Sequence, residues 1–188
     1  MKIYLLDRKQ SQVDFWELYF SDIKNVECVC DDFAHFMDTH DVECVVSPAN
    51  SYGLMDGGYD AAITAYFGDA LIPHVQEYIR THFFCEQPVG TSFLIDIPGS
   101  AKKLIHTPTM RVPSVIREPL VVYQCTRTTL ISAMQNDIKS LVIPAFGGSC
   151  GNVPPQKIAL LMRGAFDQLW TMPSSMDWNY ANRGLERI

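Results

Sequence analysis

SPANSYGLMDGGYDAAI, residues 47–63, changes character twice in a short space. Residues 42–47 leading into it form an apolar, β-branched run that predicts a strand, and Pro48, which has no N–H for a ladder, ends it. Gly53, Gly57 and Gly58 then open backbone angles closed to other residues. From Tyr59-Asp60 onward the apolar spacing becomes helical. A strand, a glycine loop and a helix start together present unpaired amides to an anion. Asn50 and Asp60 bracket whatever that loop holds.

A second unit follows the same logic. The run at 140–143 leads into Pro144-Ala145-Phe146-Gly147-Gly148-Ser149-Cys150-Gly151-Asn152-Val153, and Pro154-Pro155 suits a first helical turn. Either loop alone is equally a plain strand-to-helix connection. Two of them at strand ends shape a grip for two linked phosphates, although neither matches GxGxxG or GxxxxGK[ST].

Working outward, short apolar stretches at 2–6, 26–30, 42–47, 91–97, 103–107 and 140–143 predict strands. Helical spacing runs over 11–20, 32–38, 58–67, 71–83, 118–136 and 155–170. The alternation predicts an α/β fold of three layers, α/β/α, with a mixed, largely parallel sheet and a ligand site outside the carboxyl ends of the strands. No linker divides the chain, so a single domain over 1–188 is expected, with a core at 1–170 and a tail at 171–188. In that tail Trp178 and Tyr180 are placed either to cover the core or to cap a site, and residues 183–188 read as a solvated end.

Composition excludes several classes. A hydrophobic share of 47% with 19% charged residues belongs to a globular core, not to a disordered chain. No run approaches the roughly 20 apolar residues of a membrane span, and the N-terminus lacks a signal-peptide pattern, so a cytoplasmic protein is expected. A net charge of −6 argues against an extended nucleic-acid surface. The six cysteines, 28, 30, 44, 85, 125 and 150, read mostly as reduced core thiols. Cys28 and Cys30 share a strand face without metal-ligand spacing, so no metal and no cofactor are expected.

With these units in hand, the chain resembles the macro domain family, which binds ADP-ribose. SPANSYGLMDGGYDAAI is similar to the family's first loop, an NAAN-type tetrad followed by a glycine run, an aspartate and a helix. PAFGGSCGNVPP resembles its phosphate-gripping loop, and LIHTPTMRVP, residues 104–113, the intervening strand with its histidine. The resemblance extends over roughly residues 1–170. It implies that Asn50 contacts the distal ribose and that Asp60 is the aspartate of the hydrolytic branch. VECVCDDF, residues 26–33, resembles the stretch bearing the adenine-reading aspartate, which implies Asp32, with Asp31 next. It also assigns Gly57, Gly58 and Tyr59 to the first loop, and Phe146, Gly147, Gly148, Ser149, Cys150, Gly151 and Asn152 to the second. Departures from the family pattern are Ser47 at the tetrad's start, Met55 and Asp56 within the glycine run, Ser149 and Asn152 in the second loop, and Thr64 where a histidine is common.

The implied activity is binding of ADP-ribose, or of an ADP-ribosylated substrate, with hydrolysis at the distal ribose by de-ADP-ribosylation or O-acetyl-ADP-ribose deacetylation. The alternative is a reader or sequestering module that binds without turnover. In hydrolysis a carboxylate stabilises oxocarbenium character and orients water, which makes Asp60 the first candidate and Asp56 the second, one of them holding a proton as acid. Other roles stay open: an Asx turn for Asn50, a helix-start acid for Asp60, a turn residue for Asp56 and a helix cap for Asp32. Tyr52 and Phe146 offer rings to a ligand, although loop aromatics more often pack locally. Cys150 has no defined base partner, and His106, inside an apolar run, reads as a satisfied core histidine.

Overall fold

A computed structural model of the protein describes residues 1–182. Six strands, β1 (Lys2–Asp7), β2 (Val26–Cys30), β3 (Cys44–Ser47), β4 (Phe93–Asp96), β5 (Lys103–His106) and β6 (Ser140–Pro144), form one sheet in the order β2-β1-β6-β3-β5-β4. Every neighbouring pair is parallel except β4 with β5. The expected mixed, largely parallel sheet is therefore present, with one antiparallel edge strand.

Alternating side chains on these strands feed two separate cores. Ile3, Leu5, Leu141 and Ile143 pack with Trp16, Phe20, Leu130, Leu161 and Phe166 on one face. Those last residues come from α1 (Gln10–Phe20), α5 (Leu120–Gln135) and α6 (Pro155–Trp170). On the other face Leu6, Val45, Leu104 and Val142 meet Phe36, Ile63, Leu71 and Val75. These belong to α2 (Phe33–Thr39), α3 (Gly58–Phe67) and α4 (Leu71–His82), completing the three layers.

Local chemistry sets the helix ends. Asp32 caps α2 by accepting the His35 N–H at 3.0 Å. Pro154 and Pro155 open α6, where a missing donor costs nothing. A short helix, α7 (Trp178–Ala181), was not predicted; Asp177 caps it by accepting the Tyr180 N–H at 2.8 Å. Trp178 is 82% exposed, and α7 buries none of its residues, so the described part of the tail covers no core. The expected solvated end, residues 183–188, lies outside the described residues.

The cysteines need a correction. All six are free, but only Cys44 and Cys125 are buried; Cys30, Cys85 and Cys150 are exposed and Cys28 is half-buried. Alternation on β2, an edge strand, leaves Cys30 at its exposed end instead of beneath a helix. No helix among the described residues is long and apolar enough to cross a membrane.

Because the sheet separates the two cores, truncations on opposite faces should act independently. Leu104→Ala, which opens a cavity on one side, is expected to cost about 2–5 kcal/mol, and Ile143→Val, on the other, about 0.5–1.5 kcal/mol. Urea unfolding of the double variant should give their sum to within roughly 0.5 kcal/mol; a larger deviation would mean that the cores are coupled through the sheet.

Candidate functional site

One cavity of about 1080 Å³ opens along the carboxyl ends of β2, β1, β6 and β3. It is lined by Asp31 and Asp32 after β2, Asp7, Arg8 and Lys9 at the end of β1, the loop after β6, and Pro48, Ala49 and Asn50 after β3. Asp56, Gly57, Gly58, Tyr59 and Asp60 close it from the start of α3. The two glycine loops, far apart in sequence, thus face one space.

Asp60 lies in the first turn of α3 and is only 7% exposed. Its Oδ1 accepts a 2.6 Å hydrogen bond from Ser47 Oγ, whose residue is fully buried at the end of β3. Burial pushes the Asp60 carboxyl up to about 7; the Ser47 bond pulls it down and the charge of Asp56 pushes it further up. Desolvation is the main reason that Asp60 keeps its proton to a higher pH than an exposed aspartate does. Asp56 sits exposed at the cavity wall. In the sequence Ser47 stands out only as a departure from the tetrad, and nothing there signals this bond.

Asn50 is 7% exposed, lines the cavity, and uses its Oδ1 to accept the Tyr52 N–H at 3.0 Å. That is the Asx turn, and it leaves the Nδ2 side of the amide for other partners. Its backbone makes a single parallel bridge to Met110, which fixes the loop against the segment after β5. Tyr52 points elsewhere. Its hydroxyl donates to Glu86 at 2.9 Å and its ring lies under Arg111, so it lines no part of the cavity.

Two of the residues that depart from glycine in these loops have left-handed backbone. Met55 adopts φ 48° and drops its side chain into the core, while Asn152 takes φ 53° in the second loop. Gly151 is required by space: a Cβ there would stand 2.7 Å from the Gly147 carbonyl oxygen. Gly147, Gly148, Ser149, Cys150 and Gly151 all line the cavity. Phe146 does not. Its ring is fully buried with the β6, α5 and α6 residues of the first core, on the side of Leu141 and Ile143 and not that of Val142, so the loop breaks the strand's alternation and turns the ring inward. Asn152 also lies off the cavity, its N–H bonded to Ser149 O at 3.0 Å.

At the β2 end, Asp31 and Asp32 both line the cavity. Asp31 Oδ2 contacts His35 Nδ1 at 2.5 Å, a bond that holds the Asp31 carboxyl below the usual range. Tyr59 sets its ring edge-on to Phe33, and burial, with the charges of Asp7 and Asp60, drives its phenol pKa well up. His106 is not fully satisfied. Nδ1 donates to Gln87 Oε1 at 2.6 Å, Nε2 has no partner, and burial lowers its pKa to about 3, keeping the ring neutral. Asp7, Arg8 and Lys9 had not been predicted, although the carboxyl-end rule for parallel strands marks them once β1 is placed inside the sheet.

Asp60 leaves a signature in stability. Its folded pKa, about 7, lies above the ordinary 3.8, so its favourable contribution is complete below about pH 4 and is lost as pH rises through 7. Asp60→Asn keeps an acceptor for Ser47 and cannot ionise. Urea unfolding at about pH 8.5 should find this variant more stable than wild type by a few kcal/mol, with the gap shrinking toward pH 5; a gap that does not change with pH would contradict the burial of a charge.

Comparison with known proteins agrees with this geometry. An uncharacterized protein of Aquifex aeolicus is 32% identical over 123 residues, covering 65% of this chain and 71% of its own. Another, from Aeropyrum pernix, is 33% identical over 120 residues, covering 62% of this chain and 59% of its own length. A mutant of the Oceanobacillus iheyensis macrodomain solved with ADPR superposes with a TM-score of 0.61 at 19% identity, over 70% of this chain and 73% of that one, which is a likeness of fold. Residues 46–162, a stretch that opens one residue before the first loop and closes inside α6, match the Macro domain family. The chain belongs to the macro domain family.

Proposed function

We propose that the cavity binds ADP-ribose or a molecule carrying it, and that Asp60 drives hydrolysis at the distal ribose. The observation that carries the reading is the solvent-shielded carboxyl of Asp60, hydrogen-bonded by Ser47 beside Asn50 at the end of β3, where burial raises its affinity for a proton. The amides and glycines at 147–151 favour the diphosphate as ligand at the β6 end. Asp31 and Asp32 offer acceptors for the adenine amino group at the β2 end.

With an ADP-ribosylated substrate the bond from the anomeric carbon of the distal ribose to the attached group breaks and a water oxygen replaces it; with an acetyl ester of that ribose the acyl carbon–oxygen bond breaks instead, the water oxygen joins the acyl carbon and the ribose oxygen takes the proton. Asp60, with a pKa near 7, donates its proton to the departing atom, and the resulting carboxylate faces the oxocarbenium-like carbon. Asp56, on the exposed side of the same wall, orients the water and takes up its proton. Ser47 touches no substrate; it positions the Asp60 carboxyl and tunes its proton affinity.

Two measurements test this. Asp60→Ala should abolish release of ADP-ribose from an ADP-ribosylated peptide, or of acetate from O-acetyl-ADP-ribose, while calorimetry still detects ADP-ribose binding. Full wild-type binding with no turnover of either substrate class would make the domain a reader. The rate of wild type should fall as pH rises through about 7. In Ser47→Ala, which removes a bond favouring the carboxylate, that falling limb should move to higher pH; a shift to lower pH or none would reject the positioning role. Absence of ADP-ribose binding at millimolar ligand would reject the whole proposal.

A further inference from the structure

Across the sheet, the carboxyl ends of β2, β1, β6 and β3 carry in turn Asp31-Asp32, Asp7-Arg8-Lys9, the 145–151 loop and Pro48-Ala49-Asn50. With neighbouring strands about 4.8 Å apart, these four groups are spread over roughly 14 Å. On the ADP-ribose reading, on which this inference rests, adenine belongs to the β2 end, diphosphate to β6 and distal ribose to β3. The end of β1 then stands beside the remaining part of the ligand, the ribose that bears the adenine.

Arg8 and Lys9 are the two cationic residues that line the cavity among the described residues, and neither side chain has an ion-pair or hydrogen-bond partner. This sets them apart from Lys2, Lys103 and Arg163, which pair with Glu27, Asp96 and Asp22. None of the carboxylates on this wall bonds either side chain, each having an oxygen engaged elsewhere. Asp7 Oδ1 accepts the Lys9 backbone N–H at 2.8 Å, Asp31 Oδ2 holds His35 Nδ1, and Asp32 Oδ1 caps α2. Two uncommitted cations on one wall complement an anion. A guanidinium takes two oxygens of a phosphate in its planar fork, and the neighbouring ammonium adds a point charge.

We propose that Arg8 and Lys9 form a phosphomonoester subsite at the adenosine ribose, so that this protein prefers an ADP-ribose with an extra phosphate on that sugar. Arginine meets the 2′-phosphate of NADP in the same chemical way in dinucleotide-binding sheets. The reaction class that must supply such a ligand is cleavage of the nicotinamide glycosidic bond of an NADP-type dinucleotide, in which water takes the anomeric carbon and nicotinamide departs.

Calorimetric titration of the full chain with ADP-ribose and with 2′-phospho-ADP-ribose tests the proposal. At low salt the extra phosphate should tighten binding by about 3- to 30-fold, and the advantage should shrink as salt is raised. In the Arg8→Ala/Lys9→Ala variant the ratio of the two affinities should fall to about one. Equal or weaker binding of the phosphorylated ligand by wild type, with ADP-ribose still bound, overturns this inference alone. An advantage that survives the double substitution also overturns it. Failure of both ligands to bind defeats the ADP-ribose reading and this inference together.

Discussion

Parallel pairing of β2, β1, β6 and β3 brings four carboxyl ends to one edge of the sheet, and the rest of the protein is arranged around that edge. A parallel ladder requires a crossover after every strand, so each end must turn at once into a loop and a helix. Here three of the four turns are built from residues that leave backbone or side-chain polar groups facing outward: glycines after β3 and β6, paired aspartates after β2. The cavity is therefore a direct consequence of topology. Its lining comes from segments as distant in sequence as Asp7 and Gly151.

Within that frame the Ser47–Asp60 pair carries an energetic cost. A carboxyl shielded from solvent favours its protonated form, and a single hydroxyl donor offsets only part of the cost of ionising it. The penalty is tolerated because packed cores on both sheet faces hold Ser47 and α3 in place, Ser47 through β3 and Asp60 through neighbours such as Ile63. Positions that weaken a fold while holding an unusual protonation state are those at which function is to be sought. His106, paired in register with Ser47 on β5, is neutral and half-partnered too, but it binds Gln87 and lines no part of the cavity.

The six strands and the six longer helices were legible to within a few residues, because β-branched runs and 3.6-residue spacing report burial directly. The loops were legible as units: Gly147 to Gly151, Gly57 to Asp60 and Asn50 all line the cavity as expected. What failed was resolution within a loop. Phe146 and Asn152 lie inside the quoted motif, yet one side chain turns into the core and the other lies off the cavity, since a motif names a backbone path and not the direction of each residue. Ser47 and the Asp7-Arg8-Lys9 segment were not assigned for a different reason. The place of residues 7–9 at the cavity depends on strand order, and nothing in the local sequence at residue 8 states that β1 lies between β2 and β6; the Ser47 bond depends on how β3 and α3 pack. The short α7 escaped because four residues carry too little periodicity to register.

The central claim is that a single ligand lies along these four strand ends with its distal ribose over Asp60. A crystal structure of the protein soaked with ADP-ribose measures this directly. The account predicts adenine beside Asp31 and Asp32, the diphosphate against the 147–151 amides, and a carboxyl oxygen of Asp60 within about 3.5 Å of the anomeric carbon or of its substituent. A ligand bound in the opposite direction, or one whose distal ribose lies clear of Asp60, would contradict it.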